Sequence, residues 1–324
     1  MMNHMRSIVY HGRGWCRITA LLMMMAAFQT GALAAQPAPV QRTFSSPDEA
    51  RLALVNAVQT KDHGALRAIF GPVASELEPG DPVEQAEEFE HFARHVAEGV
   101  ELVKEGESKT ILHIGAEKWP FPVPIANRGG VWLFDTEAGR EEILSRRIGH
   151  NELLTIKTCR AYVDAQREYY AMPEPDGDQI PKYAQRMIST SGKKDGLYWS
   201  TRAGTKESPL GPLVAKAKEE GYMQQRKPGE KGPRPFHGYY FRILKQQGPS
   251  APGGRFTYVI NGNMVGGHAL VAYPARWGVS GVMTFIVNQR GRVYQKNLGP
   301  KTAEIARLMK AYNPDLSWKL VEGQ

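Results

Sequence analysis

The sequence predicts an α+β protein of two folded units, and three observations carry that prediction. Helix-patterned segments near the start give way to short, turn-punctuated strands before about residue 146. One long helical stretch follows, and the remainder is again strand-rich with a closing helix. At 324 residues the chain is long enough for two cores, and 42% hydrophobic with 9% aromatic content is globular. No repeat with a period of roughly 20–50 residues recurs, which excludes a solenoid or propeller.

The first 35 residues read as a cleavable signal peptide. Arg6, Arg13 and Arg17 form a positive start with no acid, Ile18 to Phe28 is a short apolar core, and Ala32-Leu33-Ala34 fits the small-x-small cleavage rule, with Leu33-Ala34-Ala35 one step later. The apolar run falls short of the ~20 residues a bilayer requires. A periplasmic or secreted protein is expected, with no transmembrane segment after cleavage. The net charge of +8, less those three arginines, leaves +5. The Lys and Arg residues are scattered with no basic stripe, so nucleic acid is not an expected partner. Cys16 lies in the signal, leaving Cys159 alone, within an apolar helical pattern that predicts a buried small hydrophobe.

Residues 36–43 ("QPAPVQRT") read as a flexible leader, and the N-terminal domain is expected over 44–146. Ser46 can cap a helix whose first turn takes Pro47, with Glu49 at capping-box spacing, and Leu54, Ala57 and Val58 recur at helical intervals. A second helix ends at Gly71, and the acidic run 84–101 reads as a third. "TILHIG", "FPVPIA" and "GVWLFDT" then read as strands between turns at Trp119-Pro120 and Gly129-Gly130.

The C-terminal domain is expected over 147–322. A helix from about Arg147 to Tyr170 places Leu153, Ile156, Cys159, Val163, Gln166 and Tyr170 on one face. Gln166 is the polar member of that stripe, and its amide is expected to bond loop backbone, because unpaired burial costs about 1–3 kcal/mol. A short helix in "SPLGPLVAKAKEEGY" and a Pro/Gly-rich basic loop precede the strands "GYYFRIL", "RFTYVIN", "HALVAYP", "GVMTFIVNQ" and "RVYQKNLG". Asn261-Gly262 and Arg290-Gly291 mark hairpin turns. The alternation in "TFIVNQRGRVYQK" predicts a hairpin with one wet face. The closing helix "KTAEIARLMKAY" is expected to turn Ile305, Leu308, Met309 and Tyr312 to the core.

"FSSPDEA", "KDHGALRAIFG" and "VWLFDT" resemble the small cystatin-like and nuclear-transport-factor-2-like domains of exported bacterial proteins, which implies a curled antiparallel sheet round a helix. "NELLTIKTCRAYVDAQREYY", "DGLYW", "HGYYFRIL" and "VSGVMTFIVNQRGRVYQKNLG" look like the globular heads of type IV pilin-like proteins. The matching positions are Asn151, Glu152, Ile156, Ala165, Gln166, Gly238, Tyr239, Phe241 and Gly281. The resemblance implies a long helix packed on an antiparallel sheet. Pilins carry a hydrophobic stem directly before this helix, whereas this chain has a whole domain, so polymerisation as a pilus subunit is not implied. Over Phe44 to Trp318 the chain also resembles the exported bacterial family called domain of unknown function 2950, through blocks such as "KWPFPVPI", "LFDTEAGREEILSRRIGHNEL", "YVDAQREY" and "SPLGPLVA".

Four patterns bear on chemistry. Glu174, Asp176 and Asp178 sit at the 1, 3, 5 spacing of a calcium loop, which makes calcium the one cofactor the sequence suggests. Against it, Gln179 stands where glycine is wanted, Gln185 stands at position 12, and Pro175 and Pro181 stiffen the segment. His91 and His95 at i,i+4, with Glu98 beyond, could face one metal, but Phe92 stands where a metalloprotease carries its glutamate. The "GVSGV" stretch around Ser280 is not the G-x-S-x-G of a serine hydrolase. Trp119, Phe121, Tyr198 and Trp199 lie in or beside Pro/Gly-marked segments, where aromatics either make contact surfaces for sugars and proteins or plug core ends. With no coherent catalytic set, the expected role is an envelope binding or assembly factor without catalysis. A hydrolase of envelope polymer, with its site in an N-terminal pocket or domain cleft, is the alternative.

Overall fold

A computed structural model describes residues 41–172, 180–201, 206–222 and 232–322. Mixed helix and antiparallel sheet are present, as expected of an α+β chain. Contacts gather into two compact units, one comprising residues up to Pro72 together with Glu88–Gly139, the other Val73–Glu87 together with Arg140 onward.

The first unit opens with α1 (Pro47–Gln59) and α2 (His63–Phe70). Ser46 caps α1, its Oγ accepting the Glu49 N–H at 3.1 Å. The Glu49 carboxylate turns back to Ser45, accepting its N–H at 2.9 Å and its hydroxyl at 2.7 Å, so the capping box closes one residue before the expected Ser46. Asp62 caps α2 through the Ala65 N–H at 2.9 Å. Past α3 (Val73–Glu76), which belongs to the second unit, α4 (Pro82–Glu98) ends at Gly99, whose φ of 145° lies where side chains rarely go. The chain leaves as a strand there, which is why the helix expected to reach residue 101 stops short. β1 (Val100–Lys104), β2 (Lys109–Ile114), β3 (Trp119–Pro120), β4 (Ile125–Arg128) and β5 (Val131–Phe134) form an antiparallel sheet of order β1-β2-β4-β5, with β3 also on β2. Thr110, Leu112 and Ile114 alternate inward along β2. With Leu54, Ile69, Phe70, Phe92 and Phe134 they make the core, each large side chain contributing about 1.5–3 kcal/mol by burial. In "FPVPIA" only Ile125 and Ala126 enter a strand; the Phe121 N–H still bonds the Leu112 carbonyl at 2.8 Å, and the prolines leave the segment to Pro124 irregular.

The long helix α5 runs Thr136–Tyr170, beginning eleven residues before the expected Arg147. Asp135 starts it by accepting the Ala138 N–H at 3.3 Å. Two glycines inside it, Gly139 and Gly149, lower helix propensity without ending the helix. The buried side of α5 carries Asn151, Thr155, Cys159, Tyr162, Val163 and Gln166, while Leu153 is 59% exposed. Cys159, Val163 and Gln166 of the expected stripe are therefore buried and Ile156 packs against the same core, while Asn151, Thr155 and Tyr162 rather than Leu153 and Tyr170 complete that side. Gln166 behaves as expected: its Nε2 donates to the Ala184 carbonyl at 2.8 Å and its Oε1 accepts the Ala184 N–H at 2.9 Å.

After α6 (Gly211–Glu219) the second unit is built on a sheet of β6 (Tyr239–Leu244), β11 (Ala269–Pro274), β12 (Met283–Asn288), β13 (Tyr294–Asn297) and β14 (Lys319–Leu320), in the order β14-β13-β12-β11-β6. Two small ribbons fall between β6 and β11 in the chain. One pairs β7 (Gln246–Gln247) with β8 (Phe256–Thr257), the other β9 (Val259–Ile260) with β10 (Asn263–Met264). The second turns at Asn261 and Gly262, with φ of 48° and 80°, the hairpin expected there. Every residue of β11 and five of the six in β12 are buried. The expected wet face is thus absent from the central strands. Cys159, Tyr162, Leu270, Ala272 and Phe285 pack one face with α5. Val271, Tyr273 and Ile286 pack the other beneath the ribbons and α7 (Thr302–Leu308). α7 presents Thr302 and Ala306 inward, while Ile305 and Leu308 are exposed. The expectation holds for Met309 and Tyr312 only: the helix ends at Met309, which turns to extended backbone and packs against the core, and Tyr312 reaches the core from outside the helix.

Candidate functional site: the polar joint of the second unit

Polar side chains drawn from four distant parts of the chain meet at the turn His237-Gly238 in the second unit. The first part is Leu77-Glu78-Pro79-Gly80-Asp81-Pro82, an irregular run held by two arginines, with a third on Glu76 just before it. Arg147, 2% exposed, donates from Nη1 to the Leu77 carbonyl at 2.7 Å. Arg276 donates to the carbonyls of Glu78 and, at 3.2 Å, Glu76. Arg140 pairs with the Glu76 carboxylate at 2.8 Å. Planar guanidinium forks suit this work because they carry several fixed donors and stay charged when buried.

Asp81 is the hub. Its Oδ1 accepts the Val83 and Glu84 N–H groups at 3.1 and 3.3 Å, the start of α4. Its Oδ2 accepts the Tyr222 hydroxyl and the Gly238 N–H, both at 3.1 Å. Burial pushes the Asp81 carboxyl above the usual carboxylate range, and the bonds from Gly238, Glu84, Val83 and Tyr222 oppose that push. Tyr222 in turn accepts the His237 N–H at 3.1 Å.

His237 and Gly238 both take left-handed backbone, with φ of 47° and 70°. The histidine is the strained member, since positive φ costs a side chain about 1–2 kcal/mol. Its ring packs against Phe236 and Tyr222, and its Nε2 lies 3.1 Å from Glu220 Oε2 just past α6. Gly238 is required twice over, because a Cβ there would meet Asn151 Nδ2 at 2.7 Å and Ser280 Cβ at 2.8 Å.

The remaining parts are α5 and the turn before β12. Asn151 donates to the Ser280 carbonyl at 3.1 Å, and Glu152 Oε1 accepts the Val282 and Met283 N–H groups, each at 2.9 Å. Tyr239 donates to the Met283 carbonyl at 3.0 Å, and its ring lies on Gly281 where a Cβ would stand. Ser280 Oγ accepts the Arg276 N–H at 3.0 Å and donates to the Arg276 carbonyl at 3.2 Å. Asn151, Glu152, Gly238, Tyr239 and Gly281, scattered over 131 positions in the sequence, therefore form one contact set. Chemically the joint fixes loops: its carboxylates and hydroxyls are engaged by main-chain groups. The His237–Glu220 pair, with side chains 10% and 11% exposed, is the titratable contact beside the turn.

The other candidates lie elsewhere. Trp119 and Phe121, each 3% exposed, sit in the first unit's core, where Phe121 touches the rings of Phe70, Phe92 and Trp119. Tyr198 and Trp199 are half-buried in the second unit. Tyr198 packs on the core beneath α5, while Trp199 meets the Tyr169 ring at 6.4 Å and carries Lys194 Nζ 5.5 Å over its face. The His91 and His95 rings lie 4.7 Å apart, tilted by 54°, and His95 Nδ1 lies 3.2 Å from Glu98 Oε2, which also accepts the Ala116 N–H at 3.1 Å. Among the described residues no three His, Cys, Asp or Glu side chains are grouped to hold a metal. The candidate calcium ligands Glu174, Asp176 and Asp178 lie outside the described residues, as do the signal segment and most of the basic loop. Cys159 is fully buried, its thiol pushed up to about 12 by burial. No helix of the described residues is long and apolar enough to cross a membrane.

Sequence reasoning singled out Gln166, Asn151, Glu152, Gly238, Tyr239 and Gly281 but missed Asp81, Arg147, Tyr222 and Arg276. The one available signal for Asp81 was Gly80-Asp81-Pro82, a cap followed by proline at the first helical position. Comparison with known proteins finds no curated protein and no solved structure that matches. The family of proteins of unknown function DUF2950 matches over residues 41–321, nearly the whole described chain, and the chain belongs to that family.

Proposed function

We propose that the protein is an exported binding or assembly factor of the bacterial envelope, periplasmic or secreted, that holds a partner without catalysing a reaction. The observation that carries this reading is how the polar joint is used. Asp81, Glu152, Tyr239 and Ser280 each direct their oxygens to main-chain groups of the protein itself. A catalytic carboxylate or hydroxyl has to keep a lone pair or proton for substrate and a base within reach. Here those groups fix the loops at one end of a sheet, as a recognition scaffold requires. To the same proposal belongs reading the long helix and its antiparallel sheet as a pilin-head-like domain, and the N-terminal sheet with its helices as a cystatin-like or nuclear-transport-factor-2-like one.

The test uses the mature full chain. Crosslinking in intact envelopes, followed by purification under native conditions, is expected to recover one protein partner at fixed stoichiometry. The purified chain is expected to leave envelope glycans unchanged. Turnover of those glycans with no recovered partner would replace this reading with the hydrolase.

A further inference from the structure

The sheet of the second unit ends on β6, and the ladder shows which of its main-chain groups face outward. The Ala275 N–H bonds the Gly238 carbonyl at 2.8 Å, and the register pairs Tyr239 with Pro274 through Leu244 with Ala269. In an antiparallel ladder, residues bonding one neighbour alternate with residues facing the other side. Tyr240, Arg242 and Leu244 therefore bond β11, and Tyr239, Phe241, Ile243 and Lys245 face away. The opposite side of β11 agrees, since the Gln289 N–H bonds the His268 carbonyl at 3.2 Å.

Two of the four outward residues are closed by the chain itself. Tyr239 exchanges both main-chain bonds with Phe236, at 2.8 and 3.1 Å, and the Lys245 carbonyl accepts the Tyr258 N–H at 2.8 Å. Between these closures the N–H and C=O groups of Phe241 and Ile243 have no main-chain partner among the described residues. Natural edges are usually blunted by proline, a bulge or an inward lysine. "Tyr-Phe-Arg-Ile" has no proline, bulge or lysine; its one charge, Arg242, is tied to the Ala306 and Met309 carbonyls, and its four side chains are half-buried.

We propose that this two-residue window is a strand-addition site for an extended segment of a partner protein, with the pattern apolar–acidic–apolar opposite Phe241, Arg242 and Ile243. Only an extended backbone offers donors and acceptors at the two-residue repeat. Side chains opposite Phe241 and Ile243 would continue the face packed with α5, which favours apolar residues. A residue opposite Arg242 meets a guanidinium bound to the Ala306 and Met309 carbonyls at 2.6 and 2.5 Å, which favours an acid. The same charge argues against a second copy: symmetric pairing through all four groups sets Arg242 opposite Arg242, and opposed like charges destabilise a ladder. The proposal rests on the binding-factor reading and supplies its surface.

The test is amide exchange followed by NMR on the mature full chain, with a blocked nine-residue peptide centred on valine–glutamate–valine between threonines. Without peptide, the Phe241 and Ile243 amides exchange at least tenfold faster than those of Tyr240 and Arg242; with it, both slow at least tenfold. A valine–lysine–valine peptide binds at least tenfold more weakly. Ile243→Pro removes an outward donor while sparing the bonds to β11, and abolishes binding. Phe241→Lys does the same should the proline variant not fold. Slow exchange at Phe241 and Ile243 in the free protein, or binding unaffected by these variants, would overturn the site. Such a result leaves the broader reading standing if the envelope partner is still recovered, whereas glycan turnover without a partner removes both.

Discussion

His268 offers a direct test of how tightly the second unit's core is closed. The residue has no solvent exposure, and among the described residues neither ring nitrogen has a partner. Tyr162 and Tyr183 enclose the ring, with centroids at 5.3 and 4.8 Å. Burial, and then the charge of Arg167, hold the imidazole down to about 3 from an ordinary 6.5. The sign follows from linkage. A base whose folded value is depressed is fully compatible with the fold above about pH 6.5, and stability is lost as pH falls from there towards 3, because only the unfolded chain takes up the proton. From those two values the loss is about 2 kcal/mol by about pH 5 and approaches ~5 kcal/mol near pH 3. His268→Leu removes the titration together with two unpartnered polar atoms, so near pH 7.5 it is expected to fall within ~1.5 kcal/mol of the parent. Urea unfolding of both chains, followed by near-ultraviolet circular dichroism at matched ionic strength between about pH 7.5 and 5, gives the difference in stability. Subtraction cancels every other titration. The difference should shift by about 2 kcal/mol in favour of the variant at the acid end. A difference that stays flat to within ~0.5 kcal/mol would refute the closed, neutral histidine, as would an imidazole proton resonance that titrates above pH 5.

Three further outcomes follow from the joint and the helix face. Asp81→Asn turns an amide NH2 towards the Gly238 N–H and the Tyr222 hydroxyl, or else towards the helix amides, and is expected to cost ~2–3 kcal/mol in urea unfolding. Because burial raises the Asp81 carboxyl, its own contribution is greatest below about pH 3.8 and shrinks as pH rises through the folded value, so the gap between parent and variant should vary with pH over that range. Gly238→Ala meets both a positive φ and two close neighbours, giving an expected loss of ~3 kcal/mol by the same assay; a change under ~1 kcal/mol would show that the turn yields easily. Cys159 should resist a thiol reagent in the native protein and react on unfolding, so that labelling tracks the unfolding midpoint; rapid native labelling would place the thiol outside the core.

What the sequence determined by itself was local or periodic. Ser46 and Asp62 cap helices because a side chain meets a backbone amide three residues away, an encounter that needs no tertiary context. Asn261-Gly262 turns the chain because its conformation is intrinsic to those residues. Gln166 announced a loop partner because an amide in an apolar stripe has to find one. Tertiary structure decided the rest, through contacts between positions far apart. Val73–Glu87 joins the second unit because Arg147, Arg276 and Gly238, standing 70, 198 and 157 positions from their partners, hold it there. No period or propensity in "VASELEPGDPVEQAE" encodes that attachment. Nor could alternation show that β11 and β12 are covered on both faces, or that Thr302 and Ala306 rather than Ile305 and Leu308 turn inward. Those outcomes depend on what packs against each face, and a sequence records a residue's own preference, not its neighbour's position. The open window on β6 is the same lesson at one edge: the residues wrote a strand, and the order of the sheet left two of its outward-facing residues without a main-chain partner among the described residues.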